Sequence, residues 1–124
     1  MIRILLAEDD NSMREYLSRA LTRTGYSVVA VDSGVTALER LKQESFDLLL
    51  TDIVMPELDG IELAQRASAL YPEMRVMFIT GFAAVTLQSG AVPRDAKVLS
   101  KPFHLRDLVA EVDRMFDMES AADL

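Results

Sequence analysis

Five short apolar runs, each followed by a segment of helical character, leave this chain few architectures. The runs cover residues 2–7, 27–31, 46–51, 75–79 and 97–99. They are rich in Ile, Val and Leu and too short for helices, so they read as buried strands. After the first run, Met13, Tyr16, Leu17, Ala20 and Leu21 recur at helical spacing and Gly25 ends the pattern. Ser33-Gly34 opens a helix with Val35, Leu38 and Leu41 on one face, and Ile61, Ala64, Ala67 and Leu70 mark another, closed by Pro72. Residues 83–89 are only weakly periodic and end at Gly90, so a short or mobile helix is expected there. Leu105, Leu108, Val109, Val112, Met115 and Phe116 give the clearest amphipathic helix. Continuous apolar strands alternating with helices imply an α/β fold, a doubly wound parallel sheet covered on both faces.

Length and charge narrow the function. The 124 residues suffice for one domain with a real core. That domain is expected over residues 1–117, followed by a short acidic tail at 118–124 and no output domain. A net charge of −7 argues against nucleic acid as partner and against an anionic membrane. The absence of cysteine excludes disulfides and thiolate metal sites. The apolar start is short and runs directly into Glu8-Asp9-Asp10, so it is neither a signal peptide nor a membrane span. The expected location is the cytoplasm.

In a parallel sheet the carboxyl ends of all strands share one edge, where open α/β sheets bind ligands. Five polar residues fall at such ends: Glu8, Asp9, Asp52, Thr80 and Lys101. Asp52 ends the run Leu48-Leu49-Leu50-Thr51 and precedes a turn rich in Pro, Asp and Gly. Three carboxylates held close repel one another unless a cation relieves them. Mg²⁺, a hard ion that keeps several waters, suits oxygen ligands from Asp9, Asp52 and a backbone carbonyl. A phosphoryl group accepted by Asp52 could then be paired by the Lys101 ammonium and receive a hydrogen bond from the Thr80 hydroxyl. Asp10, Asn11 or Ser12 is left to cap the following helix.

The combination Glu8-Asp9, Asp52-Ile53-Val54-Met55-Pro56 with Asp59-Gly60, Thr80-Gly81 and Lys101-Pro102-Phe103 resembles the CheY-like receiver domain of bacterial two-component response regulators. The resemblance covers essentially the whole chain. It implies a flavodoxin-like sheet of order 2-1-3-4-5, with Asp52 as phosphoacceptor. Metal contacts would come from Asp9, Asp52, the Val54 backbone carbonyl and, through water, Glu8. Thr80 and Lys101 would be the switch and phosphate contacts, Pro102 a cis-proline, and Val54 and Phe82 the neighbours that tune hydrolysis. Arg14 lies five residues after Asp9, a spacing common in receivers, which favours Glu8-Asp9 as the metal pair. The chain also resembles a stand-alone subgroup from alphaproteobacteria. That likeness implies phosphate supply from a histidine kinase or histidine phosphotransferase, and control of the ClpXP protease pathway in the cell cycle, with recruitment to a cell pole.

Two departures matter. Val98 stands where most receivers carry Tyr or Phe, so the usual coupling of threonine to an aromatic ring cannot run through it. Val54 and Phe82 are apolar and cannot orient an attacking water, which implies a persistent acyl phosphate. Other functions fit less well. An Asp-nucleophile phosphohydrolase needs a second Asp where Val54 stands, and a flavin or nucleotide binder needs a phosphate loop where acids stand. A phosphate shuttle between histidine phosphotransfer proteins is the closer alternative. The expectation is therefore a signalling module that catalyses only its own phosphorylation and dephosphorylation. His104, the only histidine, suits a surface or structural role.

Overall fold

Leu48, Leu49 and Leu50 have no exposed surface, and the strand they open is the middle of a five-stranded sheet. The computed structural model describes residues 1–80, 97–100 and 104–122. Its elements are β1 (Arg3–Ala7), α1 (Asn11–Thr24), β2 (Ser27–Val31), α2 (Gly34–Gln43), β3 (Leu48–Asp52), α3 (Gly60–Leu70), β4 (Arg75–Thr80), β5 (Lys97–Ser100) and α4 (Leu105–Ala122). The helix expected at 83–89, together with Phe82, Lys101 and Pro102, lies outside the described residues. All four strand pairings are parallel, in the expected order β2-β1-β3-β4-β5.

Side chains alternate across the strands and divide the core in two. Leu5, Ala7, Leu49, Val76 and Phe78 pack against Ala37, Leu41, Leu63, Ala64 and Ala67 of α2 and α3. Ile4, Leu6, Leu48, Leu50, Met77 and Ile79 pack against Leu17, Leu21, Leu108 and Val112 of α1 and α4. Each fully buried Leu contributes about 1.5–3 kcal/mol of transfer free energy, so the central strand is the strongest anchor available to a residue at its end. The six apolar positions expected to define α4 all meet this second core, with Leu108 and Val112 fully buried. A hydrogen bond from the Tyr26 hydroxyl to Asp113 ties α4 to the entry of β2.

Side-chain oxygens start the first three helices by accepting from backbone amides three residues on. Asp10 accepts from Met13, Ser33 from Thr36 and Asp59 from Glu62, at 2.8, 3.1 and 2.8 Å. The structure thus selects Asp10 from the three candidate caps of α1. Gly25 stops that helix in the left-handed region at φ 112°, with its amide on the Leu21 and Thr22 carbonyls.

Tyr16, Val35 and Leu70, which belong to the apolar helical periodicities, are exposed. The buried stripe of α3 is instead Gly60, Leu63, Ala64 and Ala67, and that of α2 is Gly34, Ala37 and Leu41. In α2 the reason is a close approach: a Cβ on Gly34 would lie 2.4 Å from the Leu58 carbonyl oxygen, so the helix seats on its glycine and rotates Val35 outward. The last helix, α4, runs on through Ala122.

The turn after β3 doubles back tightly. Glu57 has a positive φ of 68°, and the Leu58 amide donates to the Pro56 carbonyl at 2.8 Å. The Gly60 amide then donates to the Ile53 carbonyl at 2.9 Å. A Cβ on Gly60 would lie 2.0 Å from the Asp52 carbonyl oxygen and 3.0 Å from the Ile53 Cα, so α3 starts hard against the strand end. Both obstructing atoms are backbone and cannot rotate away. Gly60→Ala is expected to cost about 1–3 kcal/mol through overpacking, measurable by urea unfolding; a wild-type midpoint would show that the strand end yields more readily than this packing allows.

Candidate functional site

Register brings the acids together. Ala7 pairs with Thr51, so Glu8 and Asp52 are level on adjacent strands. Alternation sends both side chains toward the face covered by α1 and α4, the face of Leu6 and Leu50. The Glu8 amide donates to the Val31 carbonyl of β2 at 3.1 Å, which continues the ladder one residue past β1. Asp9 follows in the short connection to α1.

Carboxylate oxygens of Glu8, Asp9 and Asp52 lie within 4.8 Å of one another. Their exposure differs. Glu8 is fully buried, Asp52 is 7% exposed, and Asp9 faces solvent. One side of the cluster is therefore walled by protein and the other is open. Asp52 is steadied by its own surroundings: the Val54 amide donates to Asp52 Oδ1 at 3.2 Å, and the Thr51 hydroxyl donates to the Asp52 carbonyl at 2.9 Å. The Ile53 amide donates to the Ile79 carbonyl of β4 at 3.1 Å, which holds the strand end on that side.

Thr80 ends β4 one residue beyond Ile79, the register partner of Asp52, and is fully buried. Its own partner is Ser100, the last residue of β5. Lys101 is the next residue in the chain and lies outside the described residues, as do Pro102 and Phe82. Val98 pairs with Phe78 and packs, half-buried, against the core on the α2 and α3 side. The Val54 side chain is 58% exposed beside the cluster.

Three oxygen donors without nitrogen or sulfur suit a hard divalent ion, and an open side leaves room for the waters that Mg²⁺ retains. The residues present fit such an ion. Asp10, consecutive with the cluster acids, is committed to capping α1 and stands apart from them. Three contributors were not assigned from sequence. Thr51 is the lone hydroxyl in the strand and bonds the Asp52 backbone; Gly60 admits α3 to the strand end; Arg14 donates from Nη1 to the Glu8 carbonyl at 3.0 Å. Arg14 had a signal in its spacing from Asp9 and Gly60 in the Asp59-Gly60 motif; Thr51 had none.

Known proteins share this arrangement of elements. The response regulator receiver domain model matches residues 4–113. The response regulator receiver protein CpdR of Brucella abortus is 64% identical over 116 residues, which are 93% of this chain and 97% of that protein. The sensor kinase CckA of the same organism is 35% identical over 120 residues, 94% of this chain and 13% of that protein. Among solved structures, a response regulator receiver protein from Sinorhizobium medicae matches with a TM-score of 0.85 at 35% identity, covering 94% of each chain. The chain belongs to the response-regulator receiver domain family.

Proposed function

We propose that Asp52 is the phosphoacceptor of a Mg²⁺-dependent switch that controls binding to a protein partner. The observation that carries this reading is the meeting of Glu8, Asp9 and Asp52 oxygens within 4.8 Å at the carboxyl edge of the sheet. Asp9 and Asp52 would hold the metal directly with the Val54 carbonyl, and Glu8 through water. A Mg²⁺ ion held there would supply positive charge against the phosphoryl oxygens. The chain's own residues do the rest. A carboxylate oxygen of Asp52 attacks phosphorus, the phosphorus–nitrogen bond of a phosphohistidine donor breaks, and the donor nitrogen keeps the electron pair. The Val54 amide orients Asp52 by its bond to Oδ1. Thr80, buried at the neighbouring strand end, donates its hydroxyl to the new phosphoryl oxygens, and Lys101 pairs with their charge. The acyl phosphate adds about one negative charge and new acceptors, enough to reorder the surrounding loops.

The likeness to CckA supports supply from a histidine kinase or histidine phosphotransferase relay. The likeness to CpdR supports an output carried by a partner, which we take to be the ClpXP pathway engaged by the unphosphorylated form. The setting would be the cytoplasm, with recruitment to a pole by partners. Among the described residues, no helix is long and apolar enough to cross a membrane.

Three outcomes follow. Wild type with Mg²⁺ and a phosphorylated histidine phosphotransfer protein gains one phosphoryl group by mass spectrometry; Asp52→Asn, or chelation of the metal, abolishes the gain. Label persisting on Asp52→Asn would assign the acceptor elsewhere. The apolar, exposed Val54 offers no group to orient water, so the acyl phosphate should last for minutes or longer after donor removal, and Val54→Asn should shorten it. Loss from wild type within seconds would contradict this. In pull-downs from lysate, protease components should enrich with Asp52→Ala over wild type held with Mg²⁺ and beryllofluoride. The opposite enrichment would reverse the switch, and a phosphotransferase alone in both would favour a phosphate shuttle.

A further inference from the structure

We infer that Arg14 is a positioning residue for the acidic pair: its guanidinium clamps the Glu8 carbonyl and so sets the Glu8 and Asp9 carboxylates against Asp52. The inference rests on the Mg²⁺-dependent reading of the site and adds a residue to it that contacts neither metal nor phosphoryl group. Arg14 makes one bond across the junction between β1 and α1 and two within the first turn of α1 and its cap. Nη1 donates to the Glu8 carbonyl at 3.0 Å, Nη2 donates to Asn11 Oδ1 at 2.6 Å, and the backbone amide donates to the Asp10 carbonyl at 2.9 Å. The Glu8 carbonyl belongs to the peptide that joins Glu8 to Asp9. Holding it fixes the direction in which both side chains leave the backbone. From the other side, the Glu8 amide is held by the Val31 carbonyl at 3.1 Å. The junction is thus gripped by β2 and by α1, and the Arg14 bond is partly shielded from water.

Geometry and charge make opposite predictions here. As a cation beside the cluster, Arg14 by itself opposes a divalent ion, so losing the charge would tighten Mg²⁺ binding. As a clamp it keeps mutually repelling carboxylates together, so losing it would weaken binding. A half-exposed cation is screened by water and salt. Partners that orient metal ligands typically cost 10–100-fold in affinity when removed. The clamp therefore dominates. Its shape matters as well: a guanidinium offers donors in a rigid fork that reaches the carbonyl and the Asn11 amide oxygen together, whereas lysine is a point charge.

The test is a Mg²⁺ titration followed through backbone amide NMR shifts around Glu8 and Asp52, on wild type, Arg14→Lys, Arg14→Gln and the control Arg19→Gln, whose parent residue pairs with Glu15 on the same helix. Thermal unfolding without Mg²⁺ confirms that each is folded, and Arg14→Lys keeps the charge should Arg14→Gln fold poorly. Both Arg14 variants should bind Mg²⁺ about tenfold more weakly, with Arg19→Gln at wild-type affinity. Arg14→Lys at wild-type affinity, or Arg14→Gln tighter than wild type, would overturn the clamp while leaving the metal site standing. A wild type whose amides ignore Mg²⁺ would overturn the reading of the site and this inference with it.

Discussion

Three carboxylates held within 4.8 Å of one another oppose folding, and the surrounding structure supplies what keeps them there. Ionised carboxylates this close repel one another. Opposing this repulsion is a ladder of strands whose register is set by the core below. β3 is buried along its whole length, and its pairing with β1 on one side and β4 on the other leaves Asp52 no freedom to retreat from Glu8. The edge of the sheet thereby holds three acids close together, the arrangement on which the proposed metal and phosphoryl chemistry rests.

The loops at that edge are as constrained as the strands. Gly60 brings the start of α3 against the Asp52 backbone, Gly34 brings the start of α2 against Leu58, and Glu57 accepts a left-handed conformation between them. A change in charge on Asp52 is therefore adjacent to the seats of two helices. Arg14 performs the matching service on the opposite side, where α1 meets the acidic pair.

Much of this was legible in the chain. The apolar runs located all five strands to within two residues, because the polar residues of the strands fall mostly at their ends and leave the apolar middle of each run unbroken. Glu8, Asp9, Asp52 and Thr80 were legible as strand-end residues once the sheet was taken as parallel, since that topology alone collects them at one edge. Helix faces were read less well. Tyr16, Val35 and Leu70 fit a helical period yet lie outside the buried stripe, which in α2 and α3 includes Gly34 and Gly60 at close approaches to neighbouring backbone. The helical course from Asp117 to Ala122 was hidden because fraying and continuation share one composition. Gly60 and Thr51 act through distances to the Asp52 backbone, which no spacing in a sequence encodes.

The most direct measurement is a crystal structure of the protein with Mg²⁺ and beryllofluoride, a mimic of the phosphoryl group. Beryllium bonded to an Asp52 carboxylate oxygen, with the metal contacting Asp9 and Asp52 and a fluorine accepting from the Thr80 hydroxyl, is the result expected of a phosphoacceptor site. Beryllofluoride on another carboxylate, with Asp52 unmodified and no metal among Glu8, Asp9 and Asp52, would contradict it.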